Sequence, residues 1–396
     1  MAMDWEKKYC ERASAMYGSM TRQLMHLIAD PEVISFGGGL PAWDLFPVDS
    51  VKAITNAIFE GDGPAALQYG TSEGYLPLRQ AVAERYREKG FAIGPENVLI
   101  TSGAQQGIDL MSKLFIDKGD VVVVGDPTFL TALQSFSLFQ AEYLSAPLDE
   151  EGMQVERLPE ILEKHNVKFI YVMPNFQNPS GITLSLERRK RLMDMARQYR
   201  VPILEDDAYG ELRYSGEALP ALKAMDTENQ VIYLGSFSKV LSPGIRVSAL
   251  IAPEETMEKL VFAKQAADLH TDNLAQRIVC EFIERDLLDS HIRVIISCYR
   301  KRRDAMLKAM DRYLPKGVRW IKPDGGIFLW ATLPRGLDSM ALFEKAVKAK
   351  VAYVPGSCYY AKGGGEGDIR LNFTACDEEK IETGIRRLAE VIADSL

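Results

Sequence analysis

The sequence predicts an α/β protein, with a large domain on a mostly parallel sheet flanked by helices and a smaller α+β domain after it. Three observations carry this. Between about residues 95 and 252, short β-branched runs alternate with helix-period segments, as βα units around a buried sheet do. Towards the C-terminus the order changes to one long helical stretch followed by strand-like runs between glycine-rich turns. The chain also has 396 residues, more than the roughly 100–200 of a single domain.

The strand-sized runs, in order, are Val98-Leu99-Ile100, Val121 to Val124, Phe169-Ile170-Tyr171-Val172, Val201-Pro202-Ile203-Leu204, Val231-Ile232-Tyr233-Leu234 and Val247 to Ile251. Leu192, Met195, Ala196 and Tyr199 follow i, i+3, i+4, i+7 spacing and predict a helix with one apolar stripe. Its charges Arg188, Arg189, Lys190 and Arg197 read as a solvated face. Farther on, Glu281 to Tyr313 reads as a long helical stretch, and Phe328–Ala331 and Ile369–Phe373 as strands. The run Gly363-Gly364-Gly365-Glu366-Gly367 lacks a following Lys-Ser/Thr and reads as a loop, not a phosphate cradle.

Composition excludes several classes. Hydrophobic residues at 47% and charged residues at 26% are ordinary globular usage. A net charge of −8 argues against a nucleic-acid partner. No run approaches the roughly 18 apolar residues of a membrane span, and no signal-peptide core follows Met1, so no membrane is expected. Five cysteines without a CxxC pair fit a reducing cytoplasm. His26, His165, His270 and His291 are scattered without ligand spacing, and no metal site is expected.

The chemistry collects after the strands, because an open parallel sheet binds ligands outside its carboxyl ends. There stand Gly103-Ala104-Gln105, Thr128-Phe129, Asn175 to Gly181, Glu205-Asp206-Asp207-Ala208-Tyr209 and Ser236-Phe237-Ser238-Lys239, then Arg246. An aromatic ring, an amide, carboxylates, hydroxyls, an amine and a guanidinium would meet in one crevice. Such a set suits a flat anionic aromatic ligand whose carbonyl an amine can condense with, namely pyridoxal phosphate. Ser236, Ser238, Arg246 and the amides at the Gly103-Ala104-Gln105 helix start would neutralise its phosphate. Lys239 would hold its aldehyde as a Schiff base, and Asp206 would face the ring nitrogen and make the ring an electron sink. Asp207 reads as a turn or cap residue.

These segments resemble the fold-type I pyridoxal-phosphate family, class I aminotransferases, and within it the 2-aminoadipate/kynurenine aminotransferase-like branch. The resemblance runs from about Met20 to Phe373. It rests on Asn178-Pro179-Ser180-Gly181, Asp206-Asp207-Ala208-Tyr209, Ser236-Phe237-Ser238-Lys239 with Arg246, and Ser35-Phe36-Gly37-Gly38-Gly39-Leu40-Pro41. It implies a seven-stranded type of sheet, a large domain over residues 48–285, a small one over 286–396, and a segment 1–47 packed on the active site and small domain. It implies that Tyr209 and Asn178 bond the cofactor's ring oxygen, that Phe129 stacks on its face, and that Gln105 gives its backbone amide to the phosphate. By the same resemblance Tyr69 crosses from a partner subunit, so that a homodimer shares its active sites. Arg370 clamps the substrate α-carboxylate, Gly39 lies against the substrate, and Arg22 meets a distal carboxylate. Two positions depart from the pattern: Ala104 stands where many relatives have Ser or Thr, and Phe129 where Tyr is common.

The reaction implied is transfer of an amino group from an L-amino acid, with a broad, aromatic or 2-aminoadipate-type donor and branched aliphatic donors also open, to a 2-oxo acid, 2-oxoglutarate, in a two-half ping-pong cycle. Lys239, Asp206 and Tyr209 are its catalytic residues. The rivals are a β-lyase of the same fold, since these residues do not choose which Cα bond breaks, and a ligand-sensing regulator. With about 30 residues ahead of Ser35 and an acidic charge, a DNA-binding winged helix is not expected.

Overall fold

The structure, a computed structural model, describes residues 3–16 and 32–396. Its strands in chain order are β1 (Ile34–Ser35), β2 (Val98–Thr101), β3 (Val121–Asp126), β4 (Glu142–Asp149), β5 (Gly152–Met153), β6 (Val167–Val172), β7 (Ile203–Asp207), β8 (Val231–Ser236), β9 (Ser248–Ile251), β10 (Arg319–Trp320), β11 (Phe328–Thr332), β12 (Val351–Ala352), β13 (Val354–Pro355) and β14 (Asp368–Asn372). The large sheet runs β2-β9-β8-β7-β6-β3-β4-β5. Its centre is parallel, and β9 alone in its body runs against both neighbours.

The reversed β9 sets where the chain's polar loops meet. It enters the sheet from the edge where β8 leaves it, with Ser248 level with Ser236 on one side and Thr101 on the other. Residues just before β9 therefore share a crevice with residues just after β8. The β-branched runs of the sequence all appear as strands, buried on both faces as a parallel core requires. Two strands carry no such run: β4 is half-exposed and contains Pro147, and β5 is a two-residue edge piece. An edge strand solvated on one side needs no continuous apolar stretch.

The long helical stretch expected over Glu281 to Tyr313 is two helices, Asn273–Glu284 and Leu287–Tyr313. Asp286 between them has φ of +57°, a left-handed turn that a short polar side chain tolerates and that apolar periodicity does not register. The small sheet runs β10-β11-β14-β13 and is antiparallel throughout. Ahead of the large sheet, β1 pairs with β12, Phe36 N–H donates to Ala352 O, and Asn372 N–H donates to Phe36 O. Among the described residues no helix is long and apolar enough to cross a membrane.

The helix Leu186–Tyr199 buries Leu192, Met193 and Ala196 as its apolar stripe predicts, but two of its arginines are not solvated. Arg189 is fully buried, donating to the carbonyls of Leu184, Pro174 and Pro220 and to Asn175 Oδ1 at 2.6–2.9 Å. Arg188 is 9% exposed and forks onto Asp149 while donating to Gly152 O. A guanidinium can be interior when acceptors meet its five donors, and a charge run alone does not reveal them. Arg189 thereby fastens the loop after β6. Arg189→Ala, which strands four acceptors, should lower unfolding stability by about 3 kcal/mol, read as a shift of the urea midpoint.

Candidate active site

At the carboxyl ends of β6, β7 and β8 lies a solvent-open cleft of about 1000 Å³. Gly39, Ala104, Gln105, Phe129, Asn178, Asp206, Tyr209, Ser236, Ser238, Lys239, Arg246 and Arg370 all line it. Twelve of the fourteen sequence-derived site residues thus meet in one place. Tyr69 does not join them in its own chain. It is 78% exposed, with its ring edge-on to His270 at 5.7 Å. Arg22 lies outside the described residues.

Strand alternation decides which carboxylate of Glu205-Asp206-Asp207 faces the cleft. Glu205 turns away, accepting from the backbone N–H groups of Leu222 and Lys223 at 2.8 Å. Asp207 also turns away, accepting from Asn175 Nδ2, Gly210 N–H and the Tyr233 hydroxyl. Asp206 remains, only 2% exposed, and its Oδ2 accepts from the Tyr171 hydroxyl at 2.8 Å. Its Oδ1 is buried with no hydrogen-bond partner among the described residues. Burial raises its pKa to about 7, against the opposing pull of the Tyr171 hydrogen bond. Within its apolar run Tyr171 reads as plain core. The signal that sets it apart is a phenol on a buried strand, which needs a polar partner.

Lys239 Nζ donates to Gly39 O at 2.7 Å. Burial, then the charges of Arg370 and Arg246, lower its pKa to about 8, so a share of it is a neutral nucleophile near physiological pH. Arg246 reaches the same end of the cleft because it precedes the reversed β9. Its guanidinium donates to Ser102 O at 3.2 Å and Pro243 O at 3.3 Å. Gly103, with φ of +88°, lets it pass, since a Cβ there would overlap the guanidinium. Behind Gly103 begins the helix Ala104–Phe115, whose first amides have no acceptor within the helix. The Gln105 side chain turns away to Ser135 Oγ at 2.6 Å, leaving its backbone to the cleft.

Arg370 enters from β14 of the small sheet and is 6% exposed. It donates to Asn178 Oδ1 at 2.8 Å and Gly37 O at 2.6 Å, lies 4.0 Å from the Phe328 ring centre and 5.0 Å from that of Tyr359, and keeps a buried Nε without a partner among the described residues. Because Asn178 spends its amide oxygen on Arg370, its NH₂ is the group left for a ligand oxygen. Phe328 and Tyr359 are cleft residues that sequence reasoning misses, because aromatics on or beside short buried strands look like core.

The family model for class I and II aminotransferases matches residues 32–388. The chain belongs to that family. The chain is 47% identical over 400 residues to aromatic-amino-acid aminotransferase 1 of Thermococcus litoralis, covering 100% of this chain and 96% of the relative. The kynurenine aminotransferase of Pyrococcus horikoshii, solved with PMP, KYN and KYA, superposes with a TM-score of 0.95 at 43% identity, covering 99% of this chain and 98% of that one. The α-aminoadipate aminotransferase of Thermus thermophilus, complexed with N-(5'-phosphopyridoxyl)-L-leucine, superposes at 0.93 with 40% identity over 99% of each chain.

The aminotransferase takes pyridoxal phosphate as its cofactor, and the cleft fits that group. The orphaned Asp206 Oδ1 can accept from a ring N–H, the depressed Lys239 amine can meet an aldehyde, and the Gly103 cradle with Ser236, Ser238 and Arg246 can take a phosphate. Gly103→Ala should push Arg246 out of the cradle. Loss of one charge-assisted contact of about 1.5–3 kcal/mol predicts a roughly 10- to 100-fold rise in the dissociation constant for pyridoxal phosphate, read by absorbance titration of the apoenzyme.

Proposed function

We propose that this aminotransferase moves the amino group of an L-amino acid, of aromatic or 2-aminoadipate type, to 2-oxoglutarate in a ping-pong cycle, as a cytoplasmic homodimer. The observation that carries the reading is the convergence of Lys239, Asp206 and Arg370 on one cleft. When bound, pyridoxal phosphate supplies an aldehyde for an amine and a conjugated ring that stores the electron pair of a broken Cα–H bond. Asp206 would face the ring nitrogen and keep a proton there by its negative charge. Tyr171 holds that carboxylate in place.

Lys239 serves twice. Its Nζ would hold the cofactor through the aldehyde, and as a free amine it would take the proton from the substrate Cα and hold it for redelivery. Arg370 orients the substrate by its α-carboxylate, with the guanidinium plane already fixed by Asn178 and Gly37 and with donors to spare. The rings of Phe328 and Tyr359 keep water from that contact. Amino donor and oxo-acid acceptor carry the same carboxylate, so one arginine can serve both half-reactions in turn. Asn178 and Tyr209 would hold the cofactor's ring oxygen, Phe129 would cover its face, and Ala104 and Gln105 would offer their amides to its phosphate.

The donor class draws support from the relatives, which are named for aromatic amino acids, kynurenine and α-aminoadipate. For the homodimer, support comes from the exposed apolar side chains at the end of the helix Val48–Leu67, Leu67 at 73% and Tyr69 at 78% exposure. From there the Tyr69 phenol can serve a partner's phosphate site. The unbridged cysteines fit a reducing compartment.

Adding an amino acid to the loaded enzyme should bleach the cofactor's visible band, and 2-oxoglutarate alone should then restore it. If other oxo acids restore the band and 2-oxoglutarate does not, the acceptor is misassigned. Lys239→Ala should lower turnover by roughly 10³-fold or more. In the wild-type apoenzyme, the rate of cofactor capture should climb as pH rises through about 8, where Lys239 loses its proton, and flatten above. Sedimentation should give a particle of twice 44.3 kDa.

A further inference from the structure

Outside the lining of the cleft, the helix Glu254–Asp268 buries a lysine completely. Lys264 Nζ donates to Asp268 Oδ1 at 2.9 Å, to Asp268 Oδ2 at 3.1 Å and to Gln106 Oε1 at 2.7 Å. Taking an ammonium out of water costs several kcal/mol, which an ion pair of this kind only partly offsets. What the arrangement secures is Ser102. Its hydroxyl donates to Asp268 Oδ2 at 2.8 Å and lies 3.1 Å from Thr271 Oγ1, while its N–H donates to Gln106 Oε1 at 2.8 Å. Both acceptors are thus held by the same Lys264 ammonium.

With its N–H and its hydroxyl pinned, Ser102 has one backbone group left, its carbonyl, and that accepts from Arg246 at 3.2 Å. The next residue is Gly103, whose missing side chain admits the Arg246 guanidinium. Arg246 is otherwise an exposed side chain with one local bond, to Pro243 O at 3.3 Å. We infer that Asp268, anchored by Lys264, is a positioning residue for the cofactor's phosphate, acting through Ser102 to hold Arg246 in place. The inference rests on the reading that Arg246 binds that phosphate. Neither Asp268 nor Lys264 lines the cleft.

The test compares two probes, pyridoxal phosphate and its phosphate-free analogue pyridoxal, titrated into apoenzyme carrying Asp268→Asn, Ser102→Ala, Arg246→Ala, or Arg246→Ala with either of the others. Thermal unfolding of each apoprotein is followed in parallel. Asp268→Asn should weaken pyridoxal phosphate about 10-fold, the worth of one oriented charge-assisted hydrogen bond, and leave pyridoxal unchanged. In the Arg246→Ala background it should cost nothing further. Ser102→Ala, which removes only a hydroxyl, should show the same pattern if Asp268→Asn fails to fold. Weakening of both probes alike, or an undiminished loss in the Arg246→Ala background, would make Asp268 a merely structural residue and overturn the inference. So would wild-type affinity in Asp268→Asn and Ser102→Ala beside a weakened Arg246→Ala, an outcome that leaves the proposed function standing. If Arg246→Ala itself binds pyridoxal phosphate like the wild type, the assigned role of Arg246 fails first, and this inference with it.

Discussion

The buried guanidinium of Arg370 is the constraint on which the site's assembly turns. A charge at 6% exposure must be met by acceptors, and this one finds them in two distant stretches of chain, Asn178 after β6 and Gly37 in the extended segment following β1. Meeting it pulls the small sheet, the large sheet's crevice and the N-terminal segment onto one point. The same segment then presents Gly39 O to Lys239. Phe36 makes that path rigid. It is fully buried, bonded on both sides to β12 and β14, and packed so close to Gly384 that a Cβ there would stand 2.5 Å from its ring.

Around that point burial shifts two groups of opposite charge in opposite senses. Lys239 falls to about 8 and Asp206 rises to about 7, each moved towards neutrality by desolvation. Pyridoxal phosphate would offset both penalties: a ring N–H could give Asp206 the partner its Oδ1 lacks, and an aldehyde could meet the Lys239 amine in its uncharged form. The arrangement is a mould of a dipolar ligand, with acceptor, amine and cationic cradle set along one line of strand ends.

The cradle depends on chain direction. Had β9 run parallel to β8, the residues before it would lie at the opposite edge of the sheet, and Arg246 could not share an end with Lys239. Its antiparallel entry brings them together across the short Ser236–Ser248 register. Farther back, the corner that holds Ser102 also carries His270, whose ring accepts from Gly70 N–H at 3.3 Å beside Tyr69. The cradle and the Tyr69 loop are therefore built on one piece of backbone.

By itself the sequence determined the strands of the core, because burial on both faces demands continuous β-branched runs, and it determined the residues following them, because polar groups at strand ends have few other uses. Lys239, Asp206, Asn178 and Arg246 were legible for that reason. Tertiary structure alone decided what depends on acceptors supplied from elsewhere. Arg188 and Arg189 look like a solvated face until the carbonyls of Leu184, Pro174, Pro220 and Gly152 are brought to them. Tyr171 looks like core until Asp206 is brought to its hydroxyl, and Phe328 and Tyr359 until the cleft opens beside them. The break at Asp286 and the half-exposed β4 leave no periodic mark, since a single left-handed residue or a solvated edge changes hydrogen bonding without changing the apolar pattern. Periodicity records what is buried; only the fold records who meets whom.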